Sequence, residues 1–252
     1  MLEHDIPTTM TAGQQYPLTI VLQNTGVDPW TAGDFYLGHR WCDAGGVSCG
    51  DWTTVPLDAA SWPVNPGDLA AAELVVQTLE SPGSYVLRFD LSGPGQNNWF
   101  SEQSPHPWLV QDVPLEVSAL TPGVKELIIV SDGRWYEPAT RRFAAVQEQG
   151  PAPGSIHDLP EATPIWGQDD SPGSSATLTK RFAIPEGATE LTGTITIVAD
   201  DGVTIFLNSE FVGNYDAWYW PPPSSHPLHN LQVGQNVLQA DVYNRPALAW
   251  FE

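Results

Sequence analysis

Proline and glycine are scattered along the entire chain, 24 and 22 of them, and they leave no room for a long helical period. Each proline removes a backbone donor and each glycine loosens the local backbone, so regular structure is confined to the short runs between them. Those runs alternate. In QQYPLTIVLQN, Tyr16, Leu18, Ile20 and Leu22 fall on one face and Thr19 and Gln23 on the other, the period-two pattern of a half-buried strand. FYLGHRW, LAAAELVVQT, SYVLRFDL and WLVQDVPLEV continue the series, separated by the turn-forming NTG, TAGD, VNPGD, ESPGS and GPGQNN. Strands at this spacing predict an all-β chain whose first half is a two-sheet sandwich of immunoglobulin type.

After Val117 the polar, Pro- and Gly-containing SALTPG interrupts the pattern, and KELIIV begins a new strand. The expected organisation is therefore two β-sandwich domains in tandem, residues 1–118 and 125–252, joined by a linker at 119–124. In the second half, residues 141–170 read as long surface loops. Strands resume at ATLTKRFAI, ELTGTITIVA, GVTIFLN, EFVG and NVLQADVYN. Between two of them stand Asp200, Asp201 and Gly202, which predict a turn: the acids cap backbone NH groups and Gly202 takes a positive φ. Adjacent strand residues point to opposite faces, so the two acids are poorly placed to serve one substrate together. Asn208-Ser209 predicts the next hairpin.

Lys and Arg total 9 against 30 Asp and Glu, a formal charge of −21. Such a chain repels nucleic acid and anionic membrane surfaces, and no apolar run is long enough to span a bilayer, so membrane insertion and nucleic-acid binding are both excluded as expectations and a soluble product is expected. The opening MLEHDIPTTM has neither the basic nor the apolar region of a signal peptide, which leaves a cytoplasmic chain or a piece of a longer exported protein. Cys42 and Cys49 in WCDAGGVSCGDW flank two glycines that let the chain fold back; a local disulfide is the favoured reading, against two free thiols or half of a metal site.

The order F-x-I-P (Phe182 to Pro185), A-D-D-G-V-x-I-F-L-N (Ala199 to Asn208), L-x-V-G-Q-N-V-L (Leu231 to Leu238) and V-Y-N (Val242 to Asn244) resembles a galactose-binding-like jelly roll over roughly residues 125 to 252. Ser131-Asp132-Gly133-x-Trp135 and Ala162-x-x-Ile165-Trp166 resemble the early part of such domains, and the resemblance implies that these tryptophans pack under the sandwich. The family usually has Gly after the hairpin Asn, where this chain has Ser209. The first half, through N-T-G-x-x-x-W (Asn24 to Trp30), A-G-x-x-x-L-G-x-R-W (Ala32 to Trp41), P-G-x-Y-x-L (Pro82 to Leu87) and D-L…N-N-W-F-S (Asp90 to Ser101), resembles an immunoglobulin-like module of large bacterial exported and surface proteins. In those modules a Glu-Gly usually precedes W-F-S, whereas SGPGQNN stands here. Both resemblances imply scaffolds for recognition or spacing and no catalytic activity.

The aromatics Trp30, Trp41, Trp99 and Trp108 read as packing residues of the first core. No nucleophile elbow, zinc helix or phosphate-cradling loop is present in the sequence. His226 and His229 in SHPLHN form a loop pair that reads as solvated residues ahead of a metal site, and no cofactor is expected, with a structural calcium left open. The candidate binding surface is NYDAWYWPPPSSHPLHN: Tyr215, Asp216, Trp218, Tyr219, Trp220 and His226 present aromatic platforms and polar groups suited to a sugar ring. The competing reading folds this loop back over its own sandwich. The expected function is a non-catalytic module pair of a bacterial extracellular or cell-surface protein that recognises a glycan or a surface protein. The alternatives are a structural spacer of a larger assembly and the accessory domains of a glycoside hydrolase.

Overall fold

The computed structural model describes residues 2–59, 62–94, 99–103, 111–120, 123, 126–147, 162–199, 201–216 and 222–245. Nearly all of its regular structure is β, and the chain divides into two compact units, Met1–Val124 and Lys125–Glu252.

The first unit contains β1 (Leu2–His4), β2 (Thr9–Thr11), β3 (Gln15–Gln23), β4 (Tyr36–Asp43), β5 (Thr53–Pro56), β6 (Asp58–Ala59), β7 (Leu69–Gln77), β8 (Gly83–Ser92), a single helical turn α1 (Phe100–Gln103) and β9 (Gln111–Ser118). They form a four-stranded sheet, β1-β3-β7-β6, and a five-stranded sheet, β2-β9-β8-β4-β5. Strand alternation sends Leu18, Ile20 and Leu22 of β3 and Ala70, Ala72, Leu74 and Val76 of β7 into the same cluster as Leu37 of β4, Leu87, Phe89 and Leu91 of β8 and Leu115 of β9. The small alanines of β7 let large side chains from the other sheet fill the space between. β3 departs from the half-buried pattern, because Thr19 and Val21 on its second face are buried as well. Thr19 sits in a polar clasp there: its NH donates to Asp5 Oδ1 at 2.8 Å.

The Asn24-Thr25-Gly26 turn is held by its asparagine. Buried Asn24 donates through Nδ2 to the carbonyls of Asp28 and Val64, both at 2.9 Å, and accepts from the Gly26 NH at 3.0 Å. Trp30 and Trp41 pack in the first core, while Trp108 lies outside the described residues. Trp99 does not join that core. It stands on the outer face of the five-stranded sheet over Gly38, where a Cβ would come within 2.3 Å of its ring, and stacks on Trp52 at 4.4 Å between centroids. The Arg40 guanidinium lies 4.1 Å from the Trp52 ring. Cys42 and Cys49 are joined in a disulfide with their Cα atoms 4.0 Å apart.

The second unit contains β10 (Tyr136–Glu137), β11 (Arg142–Phe143), β12 (Ala145–Val146), β13 (Ile165–Trp166), β14 (Ser175–Ile184), β15 (Thr194–Ile197), β16 (Gly202–Leu207), β17 (Glu210–Asp216), β18 (Ser224–Pro227) and β19 (Gly234–Tyr243). Six of these make one sheet in the order β11-β10-β14-β19-β16-β17, and β12-β13 and β15-β18 make two small sheets. Leu178, Val203, Ile205, Leu207, Tyr215, Leu238 and Val242 from the large sheet share a core with Trp166 of β13 and Ile197 of β15, and Trp135 is buried with them. Trp135 and Trp166 each satisfy their indole NH on a backbone carbonyl, Val130 and Asp169, at 2.9 Å. Within the stretch expected to be loop, three two-residue strands, β11, β12 and β13, occur.

Candidate functional site

The site lies where β16, β17 and β19 run side by side in the large sheet. β17 alternates, so Tyr215 and Asp216, neighbours in sequence, part company: Tyr215 is buried in the core at 3% exposure and Asp216 stands outside. Tyr215 is thus a core residue and not a binding platform. His226, on β18 opposite Ile195, packs its ring on Gly213 of β17, where a Cβ would meet Nδ1 at 2.4 Å, and its Nε2 lies 3.1 Å from Ser224 Oγ. Its role is to fill the gap that the missing side chain of Gly213 leaves. Trp218, Tyr219 and Trp220 lie outside the described residues.

Around Asp216 gather Asp201, which the sequence marks as a turn residue, and Arg245 and Tyr243, which it does not single out. Arg245 Nη2 donates to Asp216 Oδ2 at 2.6 Å, and that hydrogen bond raises the guanidinium above its ordinary pKa. The Arg245 backbone NH donates to Asp201 Oδ2, also at 2.6 Å. Tyr243 contributes its hydroxyl, 3.4 Å from both Asp216 Oδ2 and Arg245 Nη2. One arginine therefore holds both carboxylates, one through its backbone and one through its side chain. Asp200 lies outside the described residues.

Gly202 is needed here for a reason other than the one its sequence setting implies. It opens β16 and is not among the glycines with positive φ. A Cβ at this position would sit 2.2 Å from Cζ and Oη of Tyr243, its direct partner across the sheet. The glycine makes room for the ring. Nor do the strands on either side of Asp200-Asp201 form a hairpin: β15 pairs with β18, whereas β16 pairs with β17 and β19. Asp201 stands where the chain enters the large sheet. Asn208-Ser209 does close the β16–β17 hairpin, with φ of 51° and 68° at the two residues, the sign pattern of a type I′ turn.

Among the described residues no cluster of three or more His, Cys, Asp or Glu side chains could hold a metal ion. The arrangement offers a fixed carboxylate, a phenol and a guanidinium at one edge of an open sheet. These are hydrogen-bonding groups suited to a ligand rich in hydroxyls.

No family model matches the chain, and no curated protein matches it. Among solved structures, the chain is similar to the CARDB domain of a Pyrococcus furiosus protein in complex with di-metal ions, with 12% identity over 48% of this chain and 93% of that one and a TM-score of 0.32. It is similar to an alpha-L-rhamnosidase of Streptomyces avermitilis complexed with L-rhamnose, with 12% identity over 98% of this chain and 22% of that one and a TM-score of 0.30. A lectin of Pleurotus ostreatus in complex with GalNAc is similar with 12% identity, 95% and 71% coverage and a TM-score of 0.26. Likenesses this distant carry neither a function nor a detailed fold assignment to the chain.

Proposed function

We propose that this chain is a non-catalytic pair of modules from a bacterial exported or cell-surface protein, an immunoglobulin-like spacer followed by a jelly-roll domain that recognises glycan. The observation that carries the reading is the convergence of Asp216, Tyr243 and Arg245 at the edge of the large sheet, immediately before the segment that bears Trp218, Tyr219 and Trp220. Hydroxyl-binding groups followed in sequence by a run of aromatic residues suit a sugar. The patterns of both halves, which resemble modules of exported bacterial proteins, support the same conclusion. So does the Cys42–Cys49 disulfide, since such bonds persist in oxidising compartments.

The non-catalytic assignment rests on how the acids are used. Asp201 and Asp216 are both engaged by Arg245, one as a backbone acceptor and one as an ion-pair partner, which suits positioning over proton transfer. The charge of −21 argues against nucleic acid as partner. Binding of the intact chain to a broad glycan array, repeated with Trp218→Ala and Trp220→Ala, tests the reading: bound glycan lost in either variant supports it, and silence of the intact chain over the whole array refutes it.

One set of contacts favours a second reading, a purely structural spacer. Tyr215 and His226, on the two sides of the aromatic segment, are both consumed by packing within the unit. Under this reading the array stays silent while both tryptophan variants lose thermal stability.

A further inference from the structure

The face of the six-stranded sheet turned away from the core carries more hydrogen-bonding capacity than the fold uses. Registers across β14, β19, β16 and β17 set Thr177, Asp241, Thr204 and Asn214 in one row. Asp241 Oδ1 accepts from Thr177 Oγ1 at 2.8 Å and from Gln239 Nε2 at 3.0 Å. Those two bonds hold the carboxylate in place and leave Oδ2 with no partner among the described residues. The Thr204 hydroxyl and the exposed Asn214 amide, next in the row, are likewise without a side-chain partner among the described residues.

Aromatic rings bracket this row. On one side, two residues along the strands, the Tyr243 ring covers Gly202. On the other side Phe206 and Phe211 pair edge to face with centroids 6.2 Å apart, and Phe211 is 63% exposed. Gly202 and Phe206 are four residues apart on β16, so the two aromatic groups are separated by about 13 Å of polar surface. A phenylalanine that exposed, on an edge strand beside a second ring, has apolar area that its own fold does not cover.

The geometry points to this face as the platform for a neutral oligosaccharide that lies along β16, a pyranose ring resting on Phe206 and Phe211 at one end and its hydroxyls meeting the phenol of Tyr243 at the other, where the ring itself lies against Gly202 and under the Arg245 guanidinium. Asp241, Thr204 and Asn214 take the hydroxyls between. Neutrality follows from charge: the chain carries −21, and the Arg245 guanidinium at the Tyr243 end is already matched to Asp216, so an acidic polymer meets net repulsion. This inference deepens the glycan reading above and rests on it.

Isothermal titration of the intact chain with gluco-, manno-, xylo- and galacto-oligosaccharides, and with oligogalacturonate as the charged control, tests it. Phe211→Ala and Asn214→Ala alter exposed side chains, and an unchanged thermal midpoint verifies their folding. The expected result is binding of at least one neutral oligomer, weakened about tenfold or more by each of these variants and by Asp241→Ala. Binding that survives all three variants within a factor of about two, but is lost in Trp218→Ala or Trp220→Ala, overturns the face while leaving glycan recognition intact. Preference for oligogalacturonate overturns the neutral class. No binding to any oligomer overturns the inference, and the array decides separately whether glycan recognition falls with it.

Discussion

Asn208 and Asn236 bond amide to amide, Nδ2 of the first donating to Oδ1 of the second at 3.0 Å. The pair ties the β16–β17 hairpin to the start of β19. Asn236 is fully buried and uses all of its capacity, accepting also from the Gln232 NH at 3.0 Å and donating to the carbonyls of Gln232 at 2.7 Å and Gly234 at 3.1 Å. Asn208 returns a bond from the other side, its Oδ1 accepting from the Val237 NH at 2.9 Å. Asn236→Ala removes a buried amide and leaves the part-buried Asn208 amide, which keeps its bond to the Asn230 carbonyl, and the Gln232 NH each short of one partner, and is expected to destabilise the second unit by about 2 kcal/mol. Urea denaturation followed by tryptophan fluorescence measures it; a loss under about 1 kcal/mol would show that water replaces the network.

Ser209, at the second turn position of that hairpin, sits at φ 68°. A side chain in the left-handed region costs roughly 1–2 kcal/mol, of which glycine's extra freedom in the unfolded chain takes back about half. Ser209→Gly is therefore expected to stabilise the second unit by roughly 0.5–1 kcal/mol, raising its thermal midpoint. Gly202→Ala, in contrast, lowers it, because the new Cβ displaces the Tyr243 ring. If both glycine positions respond alike, the distinction between turn strain and close approach is wrong.

These two glycine-related positions show what sequence pattern carries and what it does not. Alternation located β16, β17 and β19, and the Asn-Ser pair located their hairpin, because both signals are local. Pairing partners are not local. Nothing in TITI says that β15 joins Ser224–Pro227 and not the adjacent GVTIFL, so the passage from β15 to β16 reads from sequence as a simple turn. The same limit hid Arg245 and Tyr243, which lie 29 and 27 residues from Asp216 in sequence and meet it only through the sheet. Proximity in sequence to the aromatic run draws Tyr215 and His226 into the candidate site. The parity of β17 and the bare Cα of Gly213 assign them to packing.

The disulfide closes a loop whose ends are seven residues apart. Chain-entropy arguments for a loop this short give about 2.5 kcal/mol of stabilisation through restriction of the unfolded state. Reduction, or Cys42→Ser with Cys49→Ser, is expected to lower the stability of the first unit by about that amount while leaving the second unit's transition unchanged. Urea denaturation with and without reductant checks it. A drop shared equally by both transitions would mean that the two units do not unfold independently.

His39 gives the first unit a dependence on pH. Its ring is buried beside Phe89 at 6.3 Å between centroids, its Nδ1 has no partner among the described residues, and burial pushes its pKa down from 6.5 to about 4. Between those two values the unfolded chain binds a proton that the folded chain does not, so stability is full above pH 6.5 and falls as pH drops toward 4. The span corresponds to about 3 kcal/mol at its limit. His4, also lowered by burial, acts in the same direction. The Asp90 carboxyl is raised by burial and opposes them, since the folded state keeps its proton to a higher pH and loses stability as pH rises through that range. A comparison of the intact chain with His39→Leu cancels the terms from Asp90 and His4. The variant is expected to lose about 2–3 kcal/mol less than the intact chain between pH 6.5 and pH 4, read from urea midpoints at each pH. Parallel curves for the two proteins would show that the ring is hydrated in the folded state and takes up its proton there.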